Sequence, residues 1–94
     1  MKTKYMIELQ ALKPHDEVQM TLEEPQDAPY RFIMTAGHGY LIVPKDDWYA
    51  AKAAELCEYG FTGEHAWYLE EDCEAPAFLR YAQGERARLL ASAH

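Results

Sequence analysis

His15, His38, His65, Cys57 and Cys73 are the side chains in this chain of 94 residues best suited to metal or nucleophilic chemistry. Zinc takes thiolates and imidazoles in a tetrahedron, commonly as pairs separated by roughly two to four residues. Fifteen residues lie between Cys57 and Cys73, and there is no His-Glu-x-x-His segment. The spacing therefore predicts no metal and no cofactor. The single serine, Ser92, falls in the C-terminal tail, which removes a serine triad. Cys73 stands among carboxylates that oppose thiolate formation, and Cys57 falls on an apolar stripe where a thiol is normally inert. Gly37-His38-Gly39 has neither the spacing nor the helix that a phosphate cradle needs. A small metal- or thiol-dependent enzyme built on His38, His65 and Cys73 is kept as the alternative reading.

The carboxylates are more informative. Sixteen acidic residues against nine basic ones give a net charge of −7, unsuited to broad attraction to phosphate backbones. Between residues 46 and 74 stand Asp46, Asp47, Glu55, Glu58, Glu64, Glu70, Glu71, Asp72 and Glu74, opposed by Lys52 alone. In Glu70-Glu71-Asp72-Cys73-Glu74, an extended chain would set same-side carboxylates about 6.6 Å apart, near the charge spacing of a nucleic-acid strand. The plainer reading is a solvated acidic turn that caps a helix. Glu64, Glu70, Glu71, Asp72 and Glu74 are thus candidate contacts for a basic partner, with Trp48, Tyr59 and Tyr68 as candidate aromatic anchors. Core packing suits each of the three aromatics equally well. The expected partner is a larger protein or nucleoprotein with a basic surface, not nucleic acid itself and not a membrane; the chain is expected to be a monomer or homodimer.

These residues must be positioned by one core, because a chain this short leaves no room for two. Residues 1–94 are expected to form a single domain. Tyr5, Ile7 and Leu9 alternate with Met6, Glu8 and Gln10, predicting a first strand, and residues 17–22 predict a second that completes a hairpin. A polar loop with Pro25 and Pro29 follows. Residues 30–35 and 40–43 predict another hairpin, with Gly37 and Gly39 at positive φ in its turn. A helix over residues 46–59, started by an aspartate cap, carries the stripe Tyr49, Ala53, Leu56 and Cys57 and stops at Gly60. After a loop, Ala66 to Glu70 predict a fifth strand with Trp67 and Leu69 inward. Pro76 opens a final helix over residues 75–84, weakened by Gly84, and residues 85–94 form a tail subject to fraying. The expected class is α+β: an antiparallel sheet in the order ββββαβα with two helices packed on one face.

No apolar run approaches the roughly 18 residues of a membrane span, no signal-peptide region precedes Tyr5, and two cysteines are few for a secreted scaffold. A cytoplasmic location is expected. The stretch His38-Gly39-Tyr40-Leu41-Ile42-Val43-Pro44, followed by Tyr68-Leu69-Glu70-Glu71-Asp72-Cys73-Glu74-Ala75-Pro76-Ala77-Phe78-Leu79, resembles a group of small phage- and plasmid-borne bacterial proteins. Their form is His-Gly-(Tyr or Trp)-Leu-x-Val-Pro and later Leu-Glu-Glu-Asp-Cys-Asp. Here Glu74 replaces the aspartate, and the intervening helix carries more alanine. The resemblance covers about residues 36 to 80 and brings no activity with it. It implies an accessory protein of a mobile element in a bacterial host cell. By analogy with anti-CRISPR proteins, it implies an inhibitor of a host defence complex.

Overall fold

A computed structural model of the chain describes residues 3–12, 21–23, 30–35 and 37–92. Its elements are α1 (Lys4–Leu12), β1 (Thr21–Glu23), β2 (Phe32–Met34), β3 (Gly39–Pro44), α2 (Ala50–Leu56), β4 (Phe61–Thr62), β5 (Ala66–Glu70) and α3 (Glu74–Ser92). The strands form one antiparallel sheet in the order β1-β2-β3-β5-β4. The α+β class and the antiparallel sheet are as expected.

Both faces of the sheet are covered. Leu41, Val43 and Leu69 point to the side where Ala53 of α2 and Ala75, Phe78 and Ala82 of α3 complete a core with Tyr30. Tyr40, Ile42, Ala66 and Tyr68 point the other way, onto Ile33 and onto Met6 and Leu9 of α1. Period-two alternation places neighbouring residues of β3 and β5 on opposite faces, so both strands are buried almost throughout. The two expected helices do share one face; the third, α1, makes a second layer.

That third helix corrects the reading of residues 5–10 as a strand. Met6, expected outward, is buried, and Ile7, expected inward, is 56% exposed. Met6 and Leu9 lie three residues apart, which is one helical face, and the segment is rich in good helix formers. Over six residues the two periods fit nearly equally well, and burial against the sheet decided for the helix. The expected first hairpin is therefore absent: β1, which overlaps the end of the expected second strand, pairs with β2, Leu22 opposite Ile33. The rest of that strand, residues 17–20, lies outside the described residues, as does the loop at residues 24–29.

The β2–β3 hairpin forms with Phe32 opposite Leu41. Neither Gly37 nor Gly39 takes a positive φ. Thr35 closes the turn instead, its backbone N–H donating to the His38 carbonyl at 2.7 Å and its hydroxyl accepting the His38 N–H at 3.1 Å. At Gly39 a Cβ would meet the Glu71 carboxylate and the Met34 sulfur, so a larger residue would displace the ends of these two side chains.

Helix α2 is shorter than residues 46–59, because Asp47 shapes the preceding turn and does not cap the helix. Its Oδ2 accepts the Tyr49 N–H and the Tyr30 hydroxyl, each at 2.9 Å. Burial, then the Asp47 hydrogen bond and charge, push the Tyr30 phenol upward in pKa, so it stays a donor at neutral pH. The expected stripe holds, with Tyr49, Leu56 and Cys57 packed beside Ala53. Two-residue β4 falls within the expected loop, being too short for any periodicity and fixed only by pairing with β5. Helix α3 passes through Gly84 and continues to Ser92.

Candidate functional site

β3 and β5 run antiparallel, Tyr40 opposite Glu70 and Pro44 opposite Ala66, so the connecting loops gather at two ends of the sheet. At the Gly39 end stand His38, residues 57–60 and residues 71–73; at the Pro44 end stand residues 45–49 and 63–65. The two ends are about 17 Å apart, the length of a five-residue strand.

The Gly39 end is organised by Glu74, the first residue of α3, whose side chain is 5% exposed. Its Oε2 accepts the backbone N–H of Glu58 at 2.6 Å and of Tyr59 at 2.5 Å. Its Oε1 accepts those of Gly60 at 3.0 Å and Glu70 at 3.1 Å. One carboxylate thereby locks the loop after α2 to the end of β5, while its charge suits the positive end of the α3 dipole. Glu74 is thus withdrawn from the partner-contacting set, because all its acceptor capacity is directed inward. Gly60 belongs to the same knot: a Cβ there would collide with the Tyr68 carbonyl and crowd Glu74.

Glu70 is also engaged locally. Its two oxygens accept the N–H groups of Asp72 at 3.0 Å and Cys73 at 3.2 Å, folding the turn into α3. Among the described residues, the acidic and aromatic side chains left outward at this end are Glu58, Glu71, Asp72 and Tyr59, all exposed, Tyr59 to 72%, with His38 and Cys73 exposed near them. Since the loop of Glu58 and Tyr59 and the strand end before Glu71 and Asp72 hydrogen-bond to the same carboxylate, these four residues share one rim.

The other candidates lie elsewhere. Trp48, 85% exposed, and exposed Glu64 belong to the Pro44 end. Tyr68 is fully buried in the α1 layer, a correction to its role as a surface anchor: with both sheet faces covered, no β5 residue at that position reaches solvent. Among the described residues, His38, His65 and Cys73 do not gather as a metal-holding group; His65 sits at the Pro44 end, away from the other two.

The cysteines are unbonded. Burial pushes the Cys57 thiol up in pKa, with the Glu74 charge adding to it and the Thr62 hydroxyl opposing it. Its Sγ lies 3.6 Å from the Phe61 carbonyl, inside the Glu74 knot. Exposed Cys73 is therefore expected to be alkylated by iodoacetamide well before Cys57, at least roughly tenfold faster. Peptide mass spectrometry over a time course checks this, and equal rates contradict the packing of Cys57.

A residue that sequence reading missed builds the Pro44 end. Glu8 on α1 accepts the Tyr68 hydroxyl at 2.7 Å, the Glu64 N–H at 2.7 Å and the His65 N–H at 3.0 Å. Its partners lie 56 to 60 residues away in sequence, so no local pattern could reveal it. Partial burial pushes the Glu8 carboxyl up in pKa, but the Tyr68 hydroxyl, the two N–H groups and the nearby His65 outweigh it and hold it low. Candidate ligand atoms of Glu8, Glu64 and His65 lie within 4.8 Å of one another. Three donors converge on the Glu8 oxygens, so this residue clamps the β4–β5 turn to α1.

Compared with known proteins, the chain matches no family model, and neither curated proteins nor solved structures give a match. No described helix is long and apolar enough to cross a membrane.

Proposed function

We propose that this chain is a non-enzymatic interaction protein that places an acidic rim on the basic surface of a larger protein or nucleoprotein. The observation that supports the reading is the rim itself: Glu58, Glu71 and Asp72 beside Tyr59, on loops pre-ordered by the buried Glu74. Loops already held in place lose little entropy on docking, and an exposed tyrosine between carboxylates offers apolar area to a cationic groove. The resemblance to mobile-element proteins favours a host defence complex, such as a CRISPR-Cas effector, whose nucleic-acid site this rim would fill in place of phosphates. The enzyme alternative finds less support, because its three residues stand at opposite ends of the sheet.

The test is charge reversal on the rim alone. Glu58→Lys, Glu71→Lys and Asp72→Lys together leave Glu70 and Glu74 untouched and should preserve the fold. Recovery of the partner captured from a bacterial lysate is expected to fall at least roughly tenfold, as close interfacial charge pairs couple strongly. Wild-type capture is expected to weaken as salt rises, whereas Arg80→Glu changes little. Unchanged capture with unchanged salt dependence overturns the reading.

A further inference from the structure

Helix α3 is longer than the sheet beneath it. Its 19 residues rise about 28 Å at roughly 1.5 Å each, against about 17 Å for β5. It starts at the Gly39 end and runs toward the Pro44 end, where Tyr81 meets Tyr49 edge-to-face at 5.9 Å. Its burial stops at Ala82. From Phe78 and Ala82, helical spacing passes through the charged residues Glu85 and Arg86 and then reaches Leu89, which is 50% exposed, with Leu90 beside it at 61%. Arg86 lies three and four residues before these leucines and shares their face.

The same end carries a groove of about 480 Å³ between α1 and the β4–β5 turn, within the roughly 300–1,000 Å³ of pockets that accept ligands. Ile7, Ala11 and Leu12 supply its apolar part, and exposed Lys4, Glu64 and His65 stand around it. The groove thus offers apolar area beside a carboxylate, and the projecting part of α3 offers leucines beside an arginine. Within this segment Arg88 pairs with Glu85, which leaves Arg86 as the cation to meet Glu64 on another copy.

We propose that a second copy of this chain occupies the groove: the α3 segment beyond Ala82 docks there, Leu89 and Leu90 against Ile7, Ala11 and Leu12, and Arg86 against Glu64. The groove lies on the α1 side of the sheet and α3 on the other, both at the Pro44 end; in the proposed pair a two-fold axis at that end lets each copy place its segment in the other's groove, which closes the dimer. Glu8 keeps its hydrogen bonds within its own subunit. The acidic rim at the Gly39 end stays outward on each subunit.

Sedimentation velocity on the full chain over a concentration series tests this. A reversible dimer is expected. Leu89→Asp with Leu90→Asp should raise its Kd roughly 100-fold, since two apolar anchors are lost, while thermal melting at concentrations below the wild-type Kd stays nearly unchanged, because both side chains are exposed in the single copy. Ile7→Asp should give a similar loss from the groove side. Glu64→Arg and Arg86→Glu should each weaken the dimer roughly tenfold, and together restore it to within about threefold. A monomer at every concentration, a dimer indifferent to the leucines, or a charge swap without recovery overturns the proposal. A ladder of larger species overturns the closed pair.

Discussion

Glu74→Ala is expected to remove about 3–5 kcal/mol of stability. Four backbone N–H groups, those of Glu58, Tyr59, Gly60 and Glu70, lose their acceptor at once. Each hydrogen bond to a charged group contributes about 1.5–3 kcal/mol, and water entering the opened loop returns part of the total. A chain of this length has about 5–14 kcal/mol to lose, so the variant should approach the edge of folding. Glu74→Gln keeps one oxygen but turns an amide N–H₂ toward two of the donors, and should recover less than half the loss. Asp72→Ala, two residues away and exposed, should stay within about 0.5 kcal/mol. Urea titrations followed by circular dichroism compare the three. A Glu74→Ala loss below about 1 kcal/mol, the worth of one ordinary hydrogen bond, contradicts the clamp.

The second large effect is expected at Glu8. Glu8→Ala frees the N–H groups of Glu64 and His65 and leaves the Tyr68 hydroxyl buried without its partner, costing about 2–4 kcal/mol. The Glu8 clamp also carries a pH signature. Its carboxyl titrates lower in the folded chain than the ordinary value of 4.5, so the folded state favours the ionised form. Its contribution is complete above that ordinary value and is lost as pH falls through the lower folded one. The difference in urea midpoint between wild type and Glu8→Gln should therefore be largest near neutral pH and shrink toward about pH 3. A difference that is constant, or that grows on acidification, contradicts the carboxylate role. Tyr68→Phe separates the hydroxyl from the backbone donors and should cost about 1 kcal/mol.

The Glu8 clamp depends on the helix that the alternating pattern of residues 5–10 concealed. As a strand residue Glu8 would have pointed to solvent; on α1, with Met6 and Leu9 packed down, it reaches the β4–β5 turn. The corresponding difficulty at Glu74 is one of density. Among Glu70, Glu71, Asp72 and Glu74 nothing local distinguishes the carboxylate that turns inward from those that face water. A clue was present in the order of residues, since Glu74 precedes Pro76 by two positions and both suit the first turn of a helix. That clue identifies a helix start; it does not reveal three N–H groups arriving from residues 58–60.

What the sequence determined by itself was whatever depends on neighbours a few positions apart. The β2–β3 hairpin, the stripe of Ala53, Leu56 and Cys57, the inward Leu69 and the start of α3 all follow from periodicity and turn chemistry within single windows. The concentration of carboxylates between residues 46 and 74 was legible too, because charge is additive along the chain. Only the tertiary structure decided which of those carboxylates are available. Glu74 went inside because four unpaired N–H groups converge where α2, β5 and α3 meet, and a buried charge is tolerated only where donors surround it. Tyr68 went inside because α1 covers the face of the sheet that alternation alone would leave to solvent. Glu58, Glu71, Asp72 and Tyr59 stayed outside as one rim, drawn from two loops that are adjacent only because they share the Glu74 carboxylate.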